Sequence, residues 1–194
     1  MNVYRENHSE SLEGKVLIAS PHLDDPYFNK AIIYICAHDS SGAIGVMINH
    51  KMGMVSYDDF LFSDEKARLQ NNKFLKNKKF PLMFGGPVNT DMLIALSFNK
   101  DEDKTDSPIV HTDIVAFLKK LSNAKQLSKV ILAKGVSAWD SQQLEEEIAE
   151  NAWLVTQLST EMIFSQKPKD KWGYLIKGMG ILKPYELVQY SGNS

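Results

Sequence analysis

Residues 20–49, SPHLDDPYFNKAIIYICAHDSSGAIGVMIN, hold His22, Asp24, Asp25, Cys36, His38 and Asp39. These are the side-chain types that ligate zinc or move protons. A strand ending in a tight turn can splay His22 and Asp25 toward one metal ion. Asp24 would then face a bound water, whose pKa the metal lowers to about 7. A third ligand has to come from His38, His50 or His111, and no His-x-x-His pair supplies it. The competing reading is mechanical. Asp24 and Asp25, just before Pro26, can accept backbone N–H groups in an Asx turn that pins the strand end, with His22 a surface residue. Cys36 and His38 are two apart, so a regular strand puts them on one face with Ile32 and Tyr34. They then stand about 7 Å apart, too far for His38 to serve the sulfur as a base. Cys36 therefore reads as packing.

Three other stretches invite a functional reading. GGPVN (85–89) presents glycine amides as an anion-binding loop does, but no Lys-Ser pair follows and no G-x-G-x-x-G exists. A turn needing positive φ accounts for Gly85 and Gly86, with Pro87 fixing the next residue. The basic segment around Lys66, Arg68, Lys73, Lys76, Lys78 and Lys79 interleaves Phe74 and Phe80, a composition that suits single-stranded nucleic acid or a solvated loop equally. Glu145, Glu146, Glu147 and Glu150 form a charged run whose default reading is a solvated helix face, with Leu144 and Ile148 buried. Trp139, Trp153 and Trp172 read as core or rim aromatics.

These residues must be held by a modest, ordinary chain. It has 194 residues, 43% hydrophobic and 24% charged, with a formal net charge of −2. That fits one domain and gives no global attraction to nucleic acid or anionic lipid. The apolar runs AIIYICA and MLIALSF are strand-sized, far short of the roughly 20 residues that span a bilayer. Cys36 is the only cysteine, so no internal disulfide forms. No secretory core stands in MNVYRENHSESLEG. A cytoplasmic location is expected.

Strands are expected at 15–20, 31–38, 43–49, 80–84, 92–98, 129–135 and 152–157. DSSG between the second and third predicts a hairpin, and GGPVN repeats the strand–turn–strand pattern. Helices are expected from Ser56, over 113–122 behind a Thr112 cap, over 141–151 behind an Asp140/Gln143 capping box, and near 160–164 and 169–178. Strands in runs, as well as alternating with helices, predict an α+β fold: a mixed, mainly antiparallel sheet with helices packed on it, in a single compact domain. The domain is expected over 12–184, between a flexible 1–11 and a loose tail at 185–194.

The order of motifs resembles the AlgH/YqgE family of bacterial proteins. The residues that carry it are Pro21–Phe28, Ile32–His38, Gly42–Asn49, GGPV at 85–88, Gly135 to Trp139 with QLEEEI, and NAWL at 151–154. The resemblance implies a compact sheet protein of the bacterial cytoplasm with no established biochemical activity, and a transcriptional-regulator label without a DNA-binding motif behind it. It departs from the pattern at Ala37 in place of Glu, at His50-Lys51 in place of Arg-Pro, and at Val136-Ser137-Ala138 in a glycine-rich turn. By this resemblance the binding surface is expected at Asp24, Asp25, Pro26, Asn49, Gly85, Gly86, Pro87 and Trp139. No cofactor is expected. The expected partner is a protein or small molecule, not a membrane, with nucleic acid at Lys73, Lys76, Lys78 and Lys79 disfavoured. A shorter similarity, VLIASPHLDD to the strand-then-PHPDD motif of zinc deacetylases acting on N-acetyl amino sugars, implies metal at His22 and Asp25 with Asp24 as base. Pro26 stands where that motif has Glu.

Overall fold

The computed structural model describes residues 11–60, 78–99, 106–123, 129–164 and 168–180. Most of the basic segment, including Lys73 and Lys76, lies outside these residues, as do the acidic 100–105 stretch and the C-terminal tail. Among the described residues nine strands follow in order: β1 (Val16–Ala19), β2 (Ile32–Asp39), β3 (Gly42–Met47), β4 (Lys51–Ser56), β5 (Lys79–Phe84), β6 (Val88–Phe98), β7 (Ile109–His111), β8 (Lys129–Asp140) and β9 (Trp153–Thr156). The helices are α1 (Ile114–Ser122), α2 (Gln143–Ala149), α3 (Thr160–Ile163) and α4 (Pro168–Gly178). The expected α+β class is what the chain adopts.

β8 organises the sheet. Its first half pairs antiparallel with β6 on one edge and parallel with β5 on the other. Its second half pairs with β3, and the order continues β3-β2-β1-β9. β5–β8 is the sole parallel pairing among the described strands. The chain therefore crosses over β8 between β5 and β6, and GGPVN is not a hairpin turn. Gly135, with φ +76, marks the bend of β8, and Gly85 and Gly86 lie backbone-to-backbone against it.

The bend folds the sheet over itself. Val16, Ile18, Ile32, Tyr34, Val46 and Ile48 of one half meet Met83, Ile94, Leu96, Ile131 and Val136 of the other. α4 closes this inner core with Trp172, Leu175 and Ile176. The first half's outer face carries Leu17, Ile33, Ile35, Met47, Trp139, Trp153 and Leu144 of α2. The second half's is covered by Phe117, Leu118 and Leu121 of α1, the face its 3.6-residue spacing predicts. Each such side chain contributes roughly 1.5–3 kcal/mol on burial.

Local details differ from expectation for physical reasons. Asp113, not Thr112, caps α1, its Oδ1 accepting the Ala116 N–H at 2.9 Å. Ser56 ends β4 and leads only into a 3₁₀ turn, Tyr57–Phe60. Half of the expected capping box forms, Asp140 N–H donating to Gln143 Oε1 at 3.0 Å, while Gln142 takes the cap position in the left-handed region. No helix among the described residues is long and apolar enough to cross a membrane.

Lys171 of α4 is a buried ammonium that sequence patterning does not reveal. It donates to Ile163 O at 2.8 Å, and burial pulls its pKa from 10.5 to about 8. Between those values the unfolded chain binds more protons, so stability rises with pH. Cys36 and Tyr34, both pushed up to about 12 chiefly by burial, act oppositely. Their contribution is intact below their unfolded values of 9.0 and 10.0 and is lost as pH rises toward 12. Between pH 8 and 9 Lys171 outweighs Cys36, whose unfolded thiol only begins to ionise there. Urea unfolding there should show stability rising by about 1 kcal/mol per pH unit, and Lys171→Met should flatten the rise. A flat wild-type profile would contradict this account.

Candidate functional site

The 21–30 turn leaves the end of β1 and returns to β2. Asp25 caps a single helical turn: its Oδ1 accepts the N–H groups of Tyr27 and Phe28 at 2.7 and 3.0 Å, and Asn29 N–H donates to Asp25 O at 2.9 Å. Pro26 occupies the first helical position, where no N–H is needed. This is the pinned turn that the Asp-Asp-Pro spacing predicts. Lys30 then takes a left-handed conformation, φ 55. Buried Asn49 brackets it, with Oδ1 accepting Ile32 N–H and Nδ2 donating to Lys30 O, both at 2.8 Å. Asn49 thus holds the turn in place from the end of β3. His50, partly buried, donates to the Asn29 carbonyl; burial lowers its pKa and that bond opposes the shift.

The turn's aromatic residues tie it to the other expected positions. Phe28 packs edge-on against Trp153 at 5.6 Å, and Trp153 edge-on against Trp139 at 6.0 Å. Both indole N–H groups donate to one oxygen, Glu147 Oε2, at 2.9 Å from Trp139 and 2.7 Å from Trp153. Gln143 Nε2 donates to the other oxygen at 2.8 Å. Glu147 is therefore not part of a merely solvated face, which corrects the reading of the acidic run. Its link to two tryptophans is tertiary, and no spacing within the helix announces it.

Tyr27 lies on Phe84 at 6.3 Å with the rings 27° apart, which brings the turn beside Gly85. Gly85 O accepts from Met47 N–H at 3.0 Å and from Ser137 Oγ at 3.1 Å. Gly85 and Gly86 are buried against β8. So contacts tie the turn that holds Asp24, Asp25 and Pro26 to Asn49, to the Gly85–Gly86–Pro87 segment through Phe84, and to Trp139 through Trp153. Asn49, the glycines and Trp139 are spent on internal bonding, whereas His22, Asp24, Pro26 and Tyr27 stay exposed, Tyr27 by 55%.

One correction concerns the face of β2. The pairing with β3 shifts register between Ile35 and Ala37, so Cys36 is the extra residue of a β-bulge. Cys36 then packs with Tyr34 on the inner core, while His38 turns to the outer face and meets Glu145 of α2 at 3.0 Å. The two do not share a face. Burial, with Glu13 adding to it, pushes the Cys36 thiol up to about 12 and keeps it protonated.

His111 is engaged apart from the turn as well, its Nε2 lying 2.8 Å from Ser97 Oγ. Among the described residues, no group of three or more His, Cys, Asp or Glu side chains is gathered to hold a metal ion. Lys78 and Lys79 are exposed where β5 begins. Ala37 and Ala138, two of the departures, are exposed and flank Ile44 in register.

The AlgH-like family matches residues 16–183. A UPF0301 protein of Vibrio cholerae serotype O1 is 33% identical over 195 residues, 95% of this chain and 100% of its own. One from Aliivibrio salmonicida is 32% identical over 177 residues, covering 88% and 92%. The solution structure of the AlgH protein from Pseudomonas aeruginosa superposes with a TM-score of 0.61 at 22% identity, over 100% and 98% of the two chains. A crystal structure of a Corynebacterium diphtheriae protein gives 0.66 at 20%, over 95% and 93%. These two likenesses carry the fold alone.

Proposed function

The chain belongs to the AlgH-like family, and from that premise we propose that it is a non-catalytic binding protein whose recognition element is the 21–30 turn. The observation that carries this reading is the division of labour around the turn. Half-buried Asp25 and buried Asn49 satisfy its irregular backbone, while Tyr27, stacked on Phe84, stays exposed, as do His22 and Asp24. Loops held on a fixed scaffold, with an amphipathic aromatic at the tip, are common recognition devices. The partner is a protein or small molecule offering apolar surface to Tyr27. A regulatory role in the bacterial cytoplasm enters this proposal as control through that partner, without direct DNA contact.

The test is affinity capture from a bacterial lysate with wild type, Tyr27→Ala, and the His22→Ala/Asp24→Ala pair. All three should unfold within about 0.5 kcal/mol of one another, as surface changes do. A partner recovered by wild type should fall at least tenfold with Tyr27→Ala. An unchanged set of captured partners would contradict the reading.

A further inference from the structure

Residues 11–15 run ahead of β1 along β2 and are fastened at two levels. Gly14 N–H donates to Ile35 O at 2.9 Å, and Ile35 N–H donates to Lys15 O at 3.0 Å. Farther along β2, Ser11 Oγ donates to His38 O at 3.0 Å, and Leu12 N–H donates to His38 Nδ1 at 2.9 Å. The His38 side chain is 4% exposed, and its Nε2 lies 3.0 Å from Glu145 Oε1. A backbone N–H can only donate, so Nδ1 is the bare nitrogen and Nε2 carries the proton shared with Glu145.

From this geometry we propose that residues 11–15 are an acid-released strap latched by His38. A second proton on the ring has to enter at Nδ1, where the Leu12 N–H already points. Two donors cannot face one another at 2.9 Å. Among the described residues the charged groups at the ring are carboxylates: Glu145 on α2 in contact with it and Asp39 beside it on β2. The Leu12 N–H occupies the one nitrogen still able to take a proton, so the ring gains it only as the strap leaves. Glu145 holds the ring in place throughout. Release withdraws Leu12 from the outer core and frees both backbone groups of Ile35. This device stands apart from the 21–30 turn and does not rest on its role.

The experiment uses the full chain, with amide exchange by NMR and ¹⁵N shifts of the His38 ring followed from pH 7.5 to 5. Corrected for intrinsic rates, protection of Leu12, Gly14 and Ile35 should fall at least tenfold as Nδ1 becomes protonated, with Leu17 and Ile18 unchanged. His38→Gln offers an amide oxygen that does not titrate, and should keep the three amides equally protected at both ends of the range. Glu145→Gln, which leaves Leu12 untouched, should move the opening to lower pH. Protonation of Nδ1 with Leu12 still protected would overturn the proposal. So would an opening of the same size in His38→Gln, or no protonation and no opening anywhere in the range.

Discussion

Glu147→Ala should cost about 2–6 kcal/mol of folding stability. Trp139 and Trp153 are 5% and 3% exposed, and both indole N–H groups use Glu147 Oε2 as acceptor. Removing the carboxylate strands two donors where water has little access, at roughly 1–3 kcal/mol each, before the loss of the Gln143 bond. Glu147→Gln keeps one oxygen and should cost less than half as much. Urea unfolding followed by tryptophan fluorescence reads both variants. A loss below about 0.5 kcal/mol for the alanine variant would show that the pair is satisfied otherwise. The prediction has a functional side, because Phe28 leans on Trp153 and carries the 21–30 turn.

The second large effect lies where β8 bends. A Cβ on Gly135 would sit 2.3 Å from Gly86 O, and one on Gly86 would sit 2.3 Å from Val136 C. Backbone cannot yield as a side-chain tip does, and Gly135 also has φ +76, which L side chains rarely adopt. Gly135→Ala and Gly86→Ala should each cost more than about 3 kcal/mol, enough to leave much of the protein unfolded. The double variant should cost less than the sum, because both clashes separate the same two backbones. Thermal unfolding within a few degrees of wild type for either single variant would contradict the crossing as described. It also explains why GGPV and the Gly135 turn, fifty residues apart in the chain, belong to one structural feature.

Which parts were legible follows from which signals are local. β1, β2, β3 and β9 are apolar runs bounded by turn residues, and the α1 stripe is periodic, so each shows in the chain. β4 does not, because it is exposed at the sheet edge and reads Lys-Met-Gly-Met. β7 has three residues and no pattern to detect. β5 and β6 look like a hairpin since a Gly-Gly-Pro turn separates them, and only their common neighbour β8 shows the crossover. The bulge at Cys36 reversed the face of His38 through one extra residue, a change invisible to period-two counting. At the site, Asp25-Pro26 announced its own cap. Asn49, Glu147 and His38 found partners in other elements, and Lys171 was hidden because a lysine on a helix is ordinarily exposed.

In the function proposed above, the buried motif residues build the scaffold and the exposed 21–30 turn does the recognising. The most direct test places a photo-crosslinking amino acid at Tyr27 in living bacteria, with Val115, exposed on α1 over the other half of the sheet, as control. The account predicts a discrete crosslinked species from position 27 that disappears when His22 and Asp24 are also replaced by alanine, and none from position 115. Crosslinks from position 115 with none from 27 would contradict it and move the recognition surface to the opposite face.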